Sequence, residues 1–106
     1  MKRKSKKFMK FDEGKPQLAY LPTFETEQIM KVFDYGANKY ERNNWKKPHD
    51  LNRMLSSLLR HVFSFMRGNI IDDESGHPHL AHAGCCILML MWHVNNKKRR
   101  KNAKKG

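Results

Sequence analysis

The sequence has no apolar run longer than Ala83–Trp92, no acidic residue after Glu74, and only two cysteines among its 106 residues. A run of that length falls well short of the roughly 20 apolar residues a membrane helix needs, which excludes a transmembrane segment. The two cysteines, Cys85 and Cys86, are adjacent. Neighbours on a helix point about 100° apart, so a disulfide between them is excluded too. The Lys-rich start leads into FMKFDEGKPQ and not into an apolar stretch, so no secretory signal is read there. Without a signal or a disulfide framework, the chain is expected in a reducing, intracellular compartment, the cytoplasm.

Acidic residues are also scarce: ten against 22 Lys and Arg, a formal net charge of +12. The excess is confined to the ends. Lys2, Arg3, Lys4, Lys6, Lys7 and Lys10 stand in the first ten residues, and Lys97, Lys98, Arg99, Arg100, Lys101, Lys104 and Lys105 in the last ten. Without these thirteen, nine cations face ten acids between Phe11 and Asn96, a net of −1. Blocks of like charge with little to bury repel themselves, so residues 1–10 and 97–106 are expected to be disordered basic tails around one domain at 11–96. Such tails give solubility and weak, salt-sensitive contact with nucleic acid, without reading bases. The near-neutral body argues against nucleic-acid binding as the main function.

Within the body, Gly14, Pro16 and Pro22 mark a loop or short extended segment. Thr23 is a suitable N-cap, with Glu25 and Glu27 in the first turn and Phe24, Ile29, Val32, Phe33 and Ala37 at helical spacing, which predicts a helix near 23–41. A loop around Trp45 follows. Asp50 caps a second helix in which Leu51, Met54, Leu55, Leu58, Leu59, Val62 and Met66 repeat at three and four. Arg53, Ser57, Arg60, Ser64 and Arg67 fall on its opposite side, and Gly68 ends it. An acidic loop spans 69–78, and Pro78 suits the first position of a third helix over about 78–96, apolar almost all round and hence the buried central element. The fold class is all-α, a small bundle of three helices. Its third helix carries more apolar surface than two short partners can cover, which predicts a homo-oligomer.

Two clusters are candidates for chemistry. His79, His82, Cys86, Met89 and His93 step by three and four along one stripe of the third helix, directly after Asp72, Asp73 and Glu74. His61 stands at the edge of the second helix's apolar arc. Neutral imidazoles and ionised carboxylates meeting where a loop enters a helix can hold a divalent cation, and the helix start also offers N–H groups to an anion. Alternatively His79 and His82 satisfy local backbone groups, while Cys86 and Met89 are core. The second cluster, Tyr35, Gly36, Lys39, Tyr40, Asn44 and Trp45, can build a base-stacking wall with a phosphate contact. Alternatively Trp45 plugs the bundle end and the tyrosines pack around it. The string Asp12-x-Gly14-Lys15-Pro16 offers an ammonium to phosphate but is too short for a P-loop.

The order DEGKP, LP, YGANKYERNNW, LLRHVFSFMRG and DDESGHPHLAHAGCC, spanning about residues 11 to 93, resembles a phage family of dATP/dGTP diphosphohydrolases within the MazG-like all-α nucleotide pyrophosphohydrolase group. The resemblance implies release of pyrophosphate from a deoxynucleoside triphosphate, helped by Mg²⁺ or Mn²⁺, in the host cytoplasm. Lys15, Lys39, Tyr40, Asn44, Trp45, His61, Ser75, Gly76, His79 and His82 match its motif positions. Better-known MazG-like enzymes hold metal with an E-x-x-E helix and a later E-x-x-D helix. Here the first helix offers Glu25, Glu27, Asp34 and Glu41, the third has no carboxylate, and Cys86 stands where a polar residue is expected.

The leading expectation is therefore a phage-type, metal-dependent pyrophosphohydrolase acting on a purine deoxynucleotide. Its metal ligands would be His61, Asp72, His79 and His82. Glu27, His61, Asp72 and Glu74 are the catalytic candidates, and Lys15, Lys39, Tyr40, Asn44 and Trp45 the nucleotide contacts. Two alternatives stand beside it: a nucleotide-binding or sequestering module without turnover, and a nucleic-acid-associated protein acting through its tails.

Overall fold

The structure, a computed structural model, describes residues 7–105, with side chains through Lys97. After a 3₁₀ turn at Leu18–Tyr20 come helix α1 (Thr23–Lys39), a second 3₁₀ turn (Asn44–Lys46), α2 (Leu51–Met66) and α3 (His79–Lys105). The architecture is all-α, as expected. Among the described residues the only extended pairing is an isolated antiparallel bridge between Ile71 and Pro78. No described helix is long and apolar enough to cross a membrane.

The helix boundaries follow local chemistry. Asp50 caps α2, its Oδ1 accepting from the Asn52 N–H at 3.0 Å. At the other end Gly68 adopts φ +95°, the Gly68 N–H donates to Phe65 O, and the Asn69 N–H donates to Ser64 O. That paired pattern closes the last carbonyls of α2 around a left-handed residue that glycine fills without strain. Thr23 does not cap α1: Pro22 is the N-cap, extended at φ −71°, and no side chain caps the turn. The Pro22 carbonyl instead accepts from the Thr26 amide and hydroxyl.

The third helix differs from its expected end near 96 by running on to Lys105. Its run of lysines and arginines has good helix propensity and is favoured by the dipole near a helix C-terminus, so residues 97–105 are helical backbone where charge repulsion predicted disorder. Residues 1–6 of the other expected tail lie outside the described residues, and 8–10 are exposed coil.

Packing centres on α3, which meets α2 most extensively and α1 next. Val32, Ala81 and Cys85 are buried together, with Ile29, Phe33 and Met89 packed against them. The close approach of α1 depends on Gly84: a Cβ built there would lie 2.7 Å from Ile29 Cδ1. α3 is covered by α1 on its small-residue side and partly by α2 along its His82–Cys86–Met89 side, not all round as expected. Ile87, Leu88, Met91 and Val94, with Leu55, Leu59 and Phe63 of α2, stay between 41% and 55% exposed.

Gly84→Val should therefore cost on the order of 2 kcal/mol by overpacking the α1–α3 contact. A second substitution, Ile29→Ala, should recover part of that loss relative to its own cost in the native background. Denaturant unfolding of the four variants of the cycle checks this; strictly additive effects would place the contact elsewhere.

Candidate functional site

The loop between α2 and α3 is held by backbone bonds at both ends. The Asp72 N–H donates to His77 O, the Gly76 N–H to Asp72 O, and the His79 N–H to Ile70 O, at 2.8–2.9 Å. The Ala81 and His82 amides donate to Pro78 O. The first turn of α3 therefore offers fewer N–H groups to an anion than expected, because the loop itself takes them. What the loop delivers instead is side chains.

Against the end of α2, His61 Nδ1 stands 2.9 Å from Nδ1 of buried His79. Donor atoms of His61, Asp72 and His79 all lie within 4.8 Å of one another. His82, expected as a fourth ligand, lies outside that group of three, with its Nε2 3.5 Å from Asp72 Oδ2. Its ring stacks on His61 with centroids 4.3 Å apart, and its Nε2 is hydrogen-bonded to Ser75 Oγ at 2.6 Å. Ser75 also donates its amide to Asp72 Oδ2 and accepts from the His77 N–H.

The protonation states suit cation binding. Burial, reinforced by neighbouring His61, lowers the His82 pKa to about 4. Burial and then His79 lower that of His61. Burial opposes ionisation of Asp72, but the Ser75 hydroxyl and amide, with His82 and His61, hold its carboxyl below the usual range. Near neutral pH this leaves the His61 and His82 rings neutral beside the Asp72 carboxylate, and a neutral imidazole and an ionised carboxylate are the forms that coordinate metal. His61, His79 and Asp72 together offer an N₂O donor set, which suits Mn²⁺ better than Mg²⁺, since Mg²⁺ prefers oxygen.

The remaining predicted residues divide. Glu74 flanks the cluster, but its Oε1 is held by Lys39 Nζ at 2.7 Å and by the Tyr35 hydroxyl. The Lys39 hydrogen bond keeps Glu74 below the usual carboxylate range and raises Lys39. Glu27 is not brought to the site: it is exposed on α1 and pairs with Lys31 one turn on. Lys15 sits in an exposed turn, its amide bonded to Asp12 O.

Tyr40, Asn44 and Trp45 do meet, at a cleft of about 860 Å³ whose lining also includes Phe33, Met54 and Met89. Trp45 is packed into the bundle end and also borders the cleft. It packs edge-on to Phe33 and Trp92, and its carbonyl accepts from His93 Nε2 at 2.6 Å, yet the residue still lines the cleft. Asn43, at φ +65°, turns the chain into this wall in a conformation asparagine tolerates better than most. The sequence reading missed Arg53, Met54 and His49 as cleft residues. Arg53 gave no signal of this in the sequence, because it falls on the side of α2 opposite the apolar arc.

The depressed histidines make stability pH-dependent. In the unfolded chain both imidazoles protonate near 6.5, whereas in the fold His82 resists until about 4. The unfolded state then binds more protons, so stability present above about pH 6.5 is lost as pH falls towards 4. A loss on the order of 2 kcal/mol over that window is expected from chemical unfolding, and His82→Phe should flatten the profile.

No solved structure matches this chain. A family model described as "dATP/dGTP diphosphohydrolase, N-terminal" matches residues 5–103, which takes in both the histidine cluster and the cleft. A protein of Salmonella phage PMBT28 named dATP/dGTP diphosphohydrolase is 36% identical over 89 residues, covering 84% of this chain and 30% of the phage protein. The chain thus spans less than a third of that relative's length, over the histidine-bearing helices and the loop between them. On these matches the chain belongs to the dATP/dGTP diphosphohydrolase N-terminal family.

Proposed function

We propose that this chain carries the metal and nucleotide site of a purine dNTP pyrophosphohydrolase, releasing pyrophosphate from dATP or dGTP. The observation that carries the reading is the convergence of His61, Asp72 and His79 donor atoms, with an aromatic-walled cleft further along the same helix pair. The family match and the name of the phage relative agree with it.

The three residues would hold the cation, Mn²⁺ in preference to Mg²⁺. When bound, it would supply Lewis-acid polarisation of the phosphoryl oxygens and acidify an attacking water. His82 and Ser75 orient the carboxylate and the His61 ring, as supporting groups around a metal do. Trp45 and Tyr40 offer faces for a base, with Asn44 as a polar reader. The exposed apolar strip on α2 and α3 fits a homo-oligomer, as the surplus on the third helix predicts. A second reading, nucleotide binding without turnover, draws on Glu74. Its carboxylate is occupied by Lys39, which leaves no acidic residue but Asp72 in the cluster to act as base.

Incubation of the full chain with dATP and dGTP, with Mn²⁺, Mg²⁺ or chelator, separates the two. The pyrophosphohydrolase reading expects dAMP or dGMP with stoichiometric pyrophosphate, abolished by chelator. His61→Ala and Asp72→Asn should lower kcat/KM by ~100-fold or more with the protein still folded. Binding without pyrophosphate release would favour the non-catalytic module, and absence of both would reject the nucleotide reading.

A further inference from the structure

The sequence placed phosphate on Lys15 and Lys39. The structure puts Lys15 outside both clefts and ties Lys39 to Glu74, so the phosphate groups of the proposed substrate need other cations. A second cleft, about 550 Å³, supplies them. It is lined by Arg53, Ser56, Ser57 and Arg60 of α2 with Cys86 and Met89 of α3, and contains no carboxylate. His49, Arg53, Met54 and Met89 line both this cleft and the aromatic one, so the two are continuous.

The α2–α3 seam gives this groove a direction. Trp45 and His93 are in contact at one end, Ser57 and Cys86 approach in the middle, and His61 and His79 touch at the other. Met54 and Met89 line the stretch between the first two contacts. Arg53 lies in the shared stretch, and Arg60 immediately precedes His61. Neither arginine forms an ion pair among the described residues, whereas Lys31, Lys39 and Lys47 are each paired with a glutamate. Seven residues separate the arginines, two helical turns or about 10 Å, so they share a face that one phosphate cannot span and a polyphosphate can. A guanidinium binds phosphate oxygens through two parallel N–H donors, and the flanking hydroxyls add further hydrogen bonds.

We propose that Arg53 and Arg60 form a polyphosphate track along α2, carrying the triphosphate of a nucleotide from the Trp45 cleft to the His61–Asp72–His79 donors. This rests on the nucleotide reading above but is tested apart from it. Isothermal titration of the full chain with inorganic tripolyphosphate and with orthophosphate, at 0.15 M-scale salt to suppress the tails, reads the track directly. Tripolyphosphate should bind and orthophosphate much more weakly. Arg53→Gln and Arg60→Gln should each weaken tripolyphosphate binding ~10-fold and the pair ~100-fold. Arg67→Gln, at the C-cap of the same helix but outside both clefts, should change nothing.

Equal tripolyphosphate binding by the Arg53→Gln/Arg60→Gln protein and the native one would overturn the track. So would an equal loss from Arg67→Gln, which would signify diffuse attraction, or no binding by the native protein. Failure of the native protein either to bind or to process dATP or dGTP, with tripolyphosphate binding still lost in the double variant, would retire the nucleotide reading and leave the track standing. Native turnover with unchanged KM in the double variant would do the reverse.

Discussion

The connection between α2 and α3 is the constraint on which the site depends. The Ile71–Pro78 bridge, the Ile70 carbonyl on the His79 amide and the Asp72–His77 bond fold twelve residues back on themselves. The beginning of α3 is thereby fixed against the end of α2. Without that closure His61 and His79 would be on separate helices with no reason to meet. With it, two rings and a carboxylate are pressed into a small volume, and their burial keeps the His61 and His82 rings neutral. Desolvation, which is a cost for any charged group, here favours the neutral imidazole.

The rest of the molecule is thinly built around this closure. Among the described residues few side chains are buried: Val32, Ala81, Ala83 and Cys85, with His79 the one polar group among them. α3 divides its surface between duties. Ala81 and Cys85 pack against α1, His79 and His82 face the end of α2, and Ile87, Leu88 and Met91 are left outward. A helix serving packing and chemistry on adjacent faces accommodates small residues between them, which is why Gly84 and the neighbouring alanines occur where larger side chains would hold α1 away. The Cys85 thiol, raised to about 12 by burial and by Cys86, belongs to this packing and is not a nucleophile.

Much of this was legible in the residues. The three-and-four spacing of α2, its Asp50 cap and its Gly68 stop are local signals, and each is realised as written. The histidine stripe on α3 was legible for the same reason, since i, i+3 spacing puts His79 and His82 on one face whatever the tertiary fold. Pairings across the chain were not. Nothing in the order of residues says that Lys39 would reach Glu74, thirty-five positions away, nor that Glu27 would stay on the solvent side of α1. Arg53 and Arg60 read as an ordinary polar face, because a helix alone cannot show which edge of that face borders a cleft. The extension of α3 past 96 was missed because charge repulsion and helix propensity oppose each other in a run of lysines and arginines, and their balance is not visible in composition.

The central claim is that His61, Asp72 and His79 bind a divalent cation directly. Pulsed electron paramagnetic resonance of Mn²⁺ added to the full chain tests it without recourse to turnover. The account predicts one bound Mn²⁺ showing nitrogen couplings from two imidazoles, reduced to one in His61→Ala and restored by no oxygen ligand. A bound Mn²⁺ with no imidazole nitrogen coupling, or with the same coupling in native protein and His61→Ala, would contradict it.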